Sequence, residues 1–208
     1  MEDLAGKITL RNELIRKTIH LSSSAIPISY IFIDRKIEIL VVGIICLLMI
    51  LIDIARVRFI GLRKFYLKYL LQILRSHEIN DNKTLFTGGT YLVIAYLACI
   101  IIFPKSIAIT SMLIIIFSDT AAAIFGRIYG RNFINNKTIE GSLAFLLTGL
   151  VVVLLAPKVT TFSGEYYVAG AAVVLTTFFE ITPLKLDDNL TIPVFFGLVY
   201  TILLKIFL

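Results

Sequence analysis

Acidic side chains inside strongly apolar stretches are the first candidates for chemistry in this sequence. Asp119 lies in the last third of an apolar run, within the segment FSDTAAAIFGRIYGR. A charge at the centre of a membrane helix costs about 2.5–3.5 kcal/mol on insertion scales, so it needs a partner, a water-filled cavity or a metal ion. We predict that Asp119 binds Mg²⁺, which prefers carboxylate oxygens and substrate phosphates. The alternative is an ion pair with Arg127, or a side chain that reaches the aqueous interface.

Further acids lie near the ends of the last two apolar runs. Glu180 is close to the end of one run, and Asp187, Asp188 and Asn189 directly precede the next. Phosphoryl-transfer sites use metal ions to hold phosphates, with carboxylate ligands from separate segments. We therefore predict a Mg²⁺ site at Asp119 and Asp188, supported by Asp187 or Glu180, with Asn189 near the nucleotide. The alternative for residues 187–189 is an ordinary helix cap.

Two arginines follow Asp119 in a spacing that suits phosphate binding. Gly126-Arg127 and Gly130-Arg131 repeat four residues apart, which places both glycines on one helical face. Glycines allow a ligand or a backbone to approach closely, and arginines hold phosphates with forked donors. The alternative is a face of small residues for helix packing, flanked by positive charge.

Two short segments beside apolar runs supply the remaining candidates. In NKTIEGS, Lys137 is a point charge for phosphate and Glu140 is a candidate base or metal ligand, although an acid in a first helical turn also complements the helix dipole. In RKTIH, Arg16 and Lys17 precede His20, which would orient phosphate or relay a proton. The alternative for His20 is an interfacial histidine with a satisfied hydrogen bond.

The elements that must position these residues are membrane helices. The chain of 208 residues is 58% hydrophobic and 16% charged, with a mean hydropathy of +0.93, which excludes a water-soluble fold. We predict an all-α, polytopic transmembrane bundle that forms one integral membrane domain over residues 1–208. A span needs about 20 apolar residues. Seven spans are predicted, at 18–33, 38–54, 86–103, 106–125, 141–156, 167–181 and 190–208.

Positive charge orients this bundle. Under the seven-span topology, 15 of the 20 lysines and arginines lie on the side of the N-terminus, which is therefore predicted to be cytoplasmic. Every candidate residue maps to that side. Residues 54–75 predict an amphipathic helix, lying on the membrane surface or packed on the bundle. Because the net charge of +6 is carried on membrane loops, we expect anionic lipids or a nucleotide as partners, and no nucleic acid.

Taken together, the motifs resemble those of a known enzyme family. RKTIH, TGGTY, SDTAAAIFGRIYGR, NKTIEGS and a late E followed by DDNLTIP are similar to motifs of the CTP-dependent lipid-alcohol kinases, which include dolichol kinase, phytol kinase and the CTP-dependent diacylglycerol kinase of yeast. The similarity extends over about residues 16–193 and, more distantly, to phosphatidate cytidylyltransferases. It implies CTP as phosphate donor, Mg²⁺, and a long-chain alcohol or diacylglycerol as acceptor. The KD pair and HGG-type stretch of the cytidylyltransferases are absent, which favours a kinase.

The resulting hypothesis is transfer of the γ-phosphoryl group of CTP to a membrane lipid alcohol at the cytoplasmic face. The expected location is the cell membrane of a prokaryote or the endoplasmic reticulum of a eukaryote. Alternatives are a CDP-lipid synthase and, from another class, a small transporter or channel with Asp119 as coupling residue. The residues expected to hold the nucleotide are Arg16, Lys17, His20, Arg127, Arg131, Lys137 and Asn189.

Overall fold

The computed structural model describes residues 10–59, 61, 86–135, 137–183 and 186–207. This part of the chain is predominantly helical, as predicted. The elements in chain order are α1 (Leu10–Ser22), α2 (Ala25–Phe32), α3 (Arg35–Arg58), α4 (Gly88–Ile102), α5 (Lys105–Tyr129), β1 (Phe133–Ile134), β2 (Lys137–Thr138), α6 (Ile139–Leu155), α7 (Glu165–Ile181) and α8 (Asp188–Phe207).

The helices coincide with the predicted spans, with one exception. The first predicted span is divided between α1 and α2, because the chain turns at Ser23 and Ser24. The Ser23 hydroxyl lies 2.6 Å from the His20 carbonyl, to which it donates, and 2.9 Å from the Tyr96 hydroxyl. By length and composition, α3, α5 and α8 are able to cross a membrane, whereas α4 and α6 are shorter apolar helices. The number of crossings therefore stays a prediction.

A small β-hairpin adds a non-helical element to the predicted helices. β1 and β2 pair antiparallel, with Phe133 opposite Thr138 and Ile134 opposite Lys137. At the turn, Asn135 has a φ of 55°, a left-handed conformation that asparagine adopts more readily than most residues. Its amide donates to the Ile181 carbonyl at 3.2 Å, which fastens the hairpin to the end of α7. Strands of two residues are too short to show an alternating pattern in the sequence.

Helix α5 is the centre of the bundle. It packs against α1, α2, α4, α6 and α8, and 61% of its most apolar stretch is buried, against 22% for α3. One hydrophobic cluster joins side chains from α2 to α8. The outward faces of α3 and α6 expose leucine, isoleucine and valine, as expected for surfaces that face lipid.

The closest helix contact in this centre is between α5 and α6. A Cβ atom added at Gly126 would lie 2.6 Å from Thr138 Oγ1 and 3.4 Å from the Gly141 Cα atom. A Cβ atom added at Gly130 would lie 2.6 Å from Thr138 Cγ2. Gly126 therefore lets the start of α6 approach α5 closely, as in the helix-packing alternative, and both glycines also line the cavity described below.

A buried acid, Glu165, lies at the end of the bundle that contains the loop between α6 and α7. Glu165 is fully buried, and its carboxylate accepts hydrogen bonds from the backbone N–H groups of Val159 and Thr160, each at 2.7 Å. The Thr160 hydroxyl donates at 2.6 Å and the Tyr200 hydroxyl at 2.5 Å. These bonds fasten a loop to two helices.

The predicted interfacial helix over residues 54–75 lies mostly outside the described residues. Helix α3 covers its beginning and ends at Arg58.

Candidate active site

A cavity of about 580 Å³ opens at the other end of the bundle, where α1, the second half of α5, the hairpin, the start of α6, the end of α7 and the start of α8 meet. Its lining combines charged groups with small residues that leave space for a ligand. The lining residues are Glu13, Arg16, Lys17, Asp119, Ala122, Ala123, Gly126, Arg127, Gly130, Phe133, Lys137, Thr138, Gly141, Ser142, Glu180 and Asp188.

The first charged cluster joins α1 to α5. The Lys17 ammonium donates to Asp119 Oδ2, and the two side chains are only 5% and 17% exposed. His20 lies one turn further along α1, with Nε2 4.0 Å from the same carboxylate oxygen and 3.2 Å from the Ile115 carbonyl. Asp119 is thus paired with Lys17, not with Arg127, the partner considered from sequence. The ion pair offsets part of the cost of burying each of the two charges.

The second charged cluster joins the hairpin to α7 and α8. Lys137 Nζ lies 2.7 Å from Glu180 Oε1 and 2.7 Å from Asp188 Oδ2, so one ammonium bridges two carboxylates. Ser142 on α6 donates to the other Glu180 oxygen at 3.2 Å. Glu180 is 3% exposed, whereas Lys137 and Asp188 are about one-third exposed and face the cavity.

The acids determine the charge of Lys137. Burial alone would lower the pKa of the Lys137 ammonium, but the negative charges of Glu180 and Asp188 outweigh burial and raise this pKa above its ordinary value. Lys137 is therefore a permanent cation at neutral pH, suited to hold a phosphate as a point charge.

Two arginines line the cavity between these clusters. Arg16 is held by Glu13, whose Oε1 lies 2.5 Å from an Arg16 guanidinium nitrogen. Arg127 lines the cavity from the last turn of α5, whereas Arg131 is exposed and is not among the lining residues.

Several predicted site residues lie beside the cavity and do not line it. Asp187 accepts a hydrogen bond from the backbone N–H of Asn189 at 2.9 Å, and the Asn189 side-chain amide donates to the Gly88 carbonyl at 3.1 Å. Both side chains therefore form hydrogen bonds at the start of α8. Glu140 accepts from the Asn132 amide at 3.3 Å. Hydrogen bonding to its own backbone N–H is the main cause that lowers the pKa of Glu140, and a lowered pKa makes a carboxylate a weaker base at neutral pH.

The cavity supports a metal site only in part. Among the described residues, no group of three or more histidines, cysteines and acids lies close enough to hold a metal ion, so Asp119, Asp187, Asp188 and Glu180 do not form one cluster. Glu180 and Asp188 both contact the Lys137 ammonium, however, so their nearest oxygens are separated by at most twice that contact distance. Mg²⁺ in phosphate-binding sites is commonly bound by one or two carboxylates plus the phosphates. This pair supplies two such carboxylates, which both hold the Lys137 ammonium in this structure, and Mg²⁺ stays a prediction.

Three polar residues in or near the site were not predicted from the sequence. Glu13 and Ser142 line the cavity, but their sequence contexts are ordinary. Asp53 is a stronger omission, because it is an acid inside the second predicted span and the argument applied to Asp119 applies equally to it. Asp53 is buried in α3 and accepts hydrogen bonds from Thr87 and Thr90 of the TGGT segment.

Curated proteins similar to this chain fall into two groups. An uncharacterized protein of Rickettsia prowazekii is 30% identical over 189 residues, which cover 90% of this chain and 92% of that protein. The chain belongs to the same family as this rickettsial protein.

The second group carries a named activity. CTP-dependent diacylglycerol kinase 1 of Eremothecium gossypii is 25% identical over 70% of this chain and 46% of that protein, so the chain spans about half of that relative's length. CTP-dependent diacylglycerol kinase 1 of Saccharomyces cerevisiae is 22% identical over 97% of this chain and 77% of that protein. This distant similarity supports a relationship to the CTP-dependent lipid kinases. No family model and no solved structure matches the chain.

Proposed function

We propose that this protein is a CTP-dependent kinase that phosphorylates a membrane lipid alcohol. The observation that carries the proposal is a cavity lined by paired acids, lysines and arginines at one end of an apolar helical bundle, in a chain distantly similar to CTP-dependent diacylglycerol kinases. Acids and cations in one cavity are the groups that phosphoryl transfer requires.

In the proposed reaction, the alcohol oxygen attacks the γ-phosphorus of CTP and forms a new P–O bond. The bond from the γ-phosphorus to the oxygen that bridges the β- and γ-phosphates breaks, and CDP leaves. The proton of the alcohol passes to a carboxylate of the cavity. Asp119 lines the cavity, whereas Glu140 does not, so Asp119 is the better placed candidate base.

Charge stabilisation would come from the cations of the cavity. Arg16, Arg127 and Lys137 would hold the phosphate oxygens, since donors aimed at developing charge are usually the largest contribution to such catalysis. Lys17 would orient Asp119 through their ion pair. Glu180 and Asp188 would hold Mg²⁺, which when bound neutralises charge on the phosphates. The acceptor would reach the cavity from the surrounding lipid, because the outer faces of the bundle are apolar.

Transfer of radiolabel tests the reaction. Purified protein in lipid nanodiscs receives CTP labelled at either the α- or the γ-phosphate, together with diacylglycerol, phytol or a polyprenol. The proposal expects label in the lipid from the γ position only. Label from the α position would instead identify a CDP-lipid synthase.

Ligand-dependent stabilisation separates the enzyme from a transporter. A ligand that binds only the folded state at 100 times its Kd stabilises that state by about 2.7 kcal/mol. CTP with Mg²⁺ is therefore expected to raise the Tm of the wild-type protein, and less so that of an Asp188→Asn variant. Absence of any CTP effect, together with ion or solute flux in proteoliposomes, would contradict the proposal.

A further inference from the structure

The buried acid Asp53 near the end of α3 stands outside the cavity lining, but it bonds to the start of α4, which in turn bonds to the start of α8. The Asp53 side chain is 2% exposed. Its Oδ2 accepts three hydrogen bonds, from the Thr87 N–H at 2.8 Å, the Thr87 hydroxyl at 3.2 Å and the Thr90 hydroxyl at 2.6 Å. Arg56 Nε lies 3.8 Å from the other carboxylate oxygen. Ionised acceptors make hydrogen bonds roughly twice as strong as neutral ones, so this carboxylate holds the first turn of α4 firmly.

The same turn holds the start of α8. Thr87 is the N-cap of α4, and the next residue, Gly88, accepts the Asn189 side-chain amide at 3.1 Å. Asn189 is 9% exposed and follows Asp188, the residue whose carboxylate pairs with Lys137 in the cavity. Helix α4 packs against both α3 and α8. A continuous series of bonds therefore runs from Asp53 through the first turn of α4 to the acid that faces the cavity.

We propose that Asp53 is a positioning residue for the nucleotide site. It anchors the N-terminus of α4, and through the bond between Gly88 and Asn189 it fixes the place of Asp188. The inference rests on the proposed function for its kinetic consequence, whereas its structural consequence is independent of any activity.

The bundle contains a matched control for this role. Glu165 is also a buried carboxylate, and it also accepts several hydrogen bonds and fastens a loop, but it does so at the opposite end of the bundle. Replacement of either acid by its amide keeps the shape of the side chain and removes the charge. If Asp53 only stabilises the fold, Asp53→Asn and Glu165→Gln should have equal effects on the start of α8 and on the KM for CTP. If Asp53 positions the site, these effects should differ between the two variants.

The first measurement is amide hydrogen exchange, which needs no ligand. The backbone N–H groups of Leu190 and Thr191 donate to the Asp187 carbonyl and form the first turn of α8. Asp53→Asn is expected to speed their exchange at least about fivefold, since loss of about 1 kcal/mol of local stability corresponds to that factor. Glu165→Gln is expected to leave these two amides unchanged. Equal exchange of these amides in both variants overturns the proposal.

The second measurement is the kinetics of lipid phosphorylation. Asp53→Asn is expected to raise the KM for CTP by about five- to tenfold, the factor for loss of about 1–1.4 kcal/mol, while Glu165→Gln keeps the wild-type KM even where its Tm falls. Asn189→Leu should reproduce the KM effect, and the double variant with Asp53→Asn should lose less than the product of the two single effects, because both act on one series of bonds. Fully multiplicative effects would refute the coupling. Absence of phosphorylation by the wild-type protein would instead refute the proposed function, and hydrogen exchange would still decide the role of Asp53.

Discussion

Replacement of Lys17 by methionine would leave Asp119 without its ammonium partner. Methionine fills a similar volume, so the change removes mainly the charge. Removal of one partner of a buried ion pair costs about 3–5 kcal/mol. Asp119 is 17% exposed, so solvent offsets part of the loss. We therefore expect a loss of stability at the lower limit of this range, about 3 kcal/mol.

For a chain of this size, a loss of about 3 kcal/mol lowers Tm by roughly 6–12 °C. Thermal unfolding of the purified protein in one detergent measures this value. The exposed Lys36 is the control, because surface substitutions usually change stability by less than about 0.5 kcal/mol. The double variant with Asp119→Asn should recover much of the loss, since a neutral pair requires no charge to be buried alone. A Tm for Lys17→Met equal to that of Lys36→Met, or a double variant less stable than Lys17→Met, would refute this account.

Three further predictions concern packing and pH. Gly126→Ala should lower the free energy of unfolding by about 1–3 kcal/mol, because the added carbon clashes with Thr138. Gly43→Ala is the control, since no atom lies within 4 Å of its added carbon, and thermal unfolding compares the two variants. Burial raises the pKa of Glu165, but the hydrogen bonds to its carboxylate lower this pKa by more, so the folded-state value lies below 4.5. The stabilisation from Glu165 is therefore present above pH 4.5 and is lost as pH falls through the folded-state pKa. Glu165→Gln should accordingly show a weaker fall of Tm at acid pH. The pKa of Lys137 is raised, so the stabilisation from its ammonium is complete below pH 10.5 and is lost only as pH rises through the higher folded-state pKa. The corresponding fall of Tm at alkaline pH should be absent in Lys137→Met.

Helices and candidate residue types were predictable because they follow from local properties of the chain. An acid in an apolar run such as Asp119 is costly wherever the helix lies, so its need for a partner is visible in the sequence alone. The apolar runs likewise predicted the helices, apart from the break at Ser23 and Ser24. The hairpin was not predictable, because two-residue strands have no periodicity to read.

Partners were not predictable, because ion pairs depend on contacts between residues far apart in the chain. Lys17 and Asp119 are 102 residues apart, and Lys137 and Asp188 are 51 apart. The spacing of Gly126 and Gly130 fitted both a ligand and a helix, and only the tertiary structure puts both glycines in the cavity lining and Gly126 against the Gly141 backbone of α6.

The sequence by itself thus determined that polar groups lie among apolar helices, because the cost of burying a charge in an apolar stretch is a local quantity. Only the tertiary structure decided which ammonium meets which carboxylate, and that Asn189 bonds to Gly88 instead of lining the cavity. A Coulomb interaction falls with the distance between two groups in space, and that distance is set by how the helices pack.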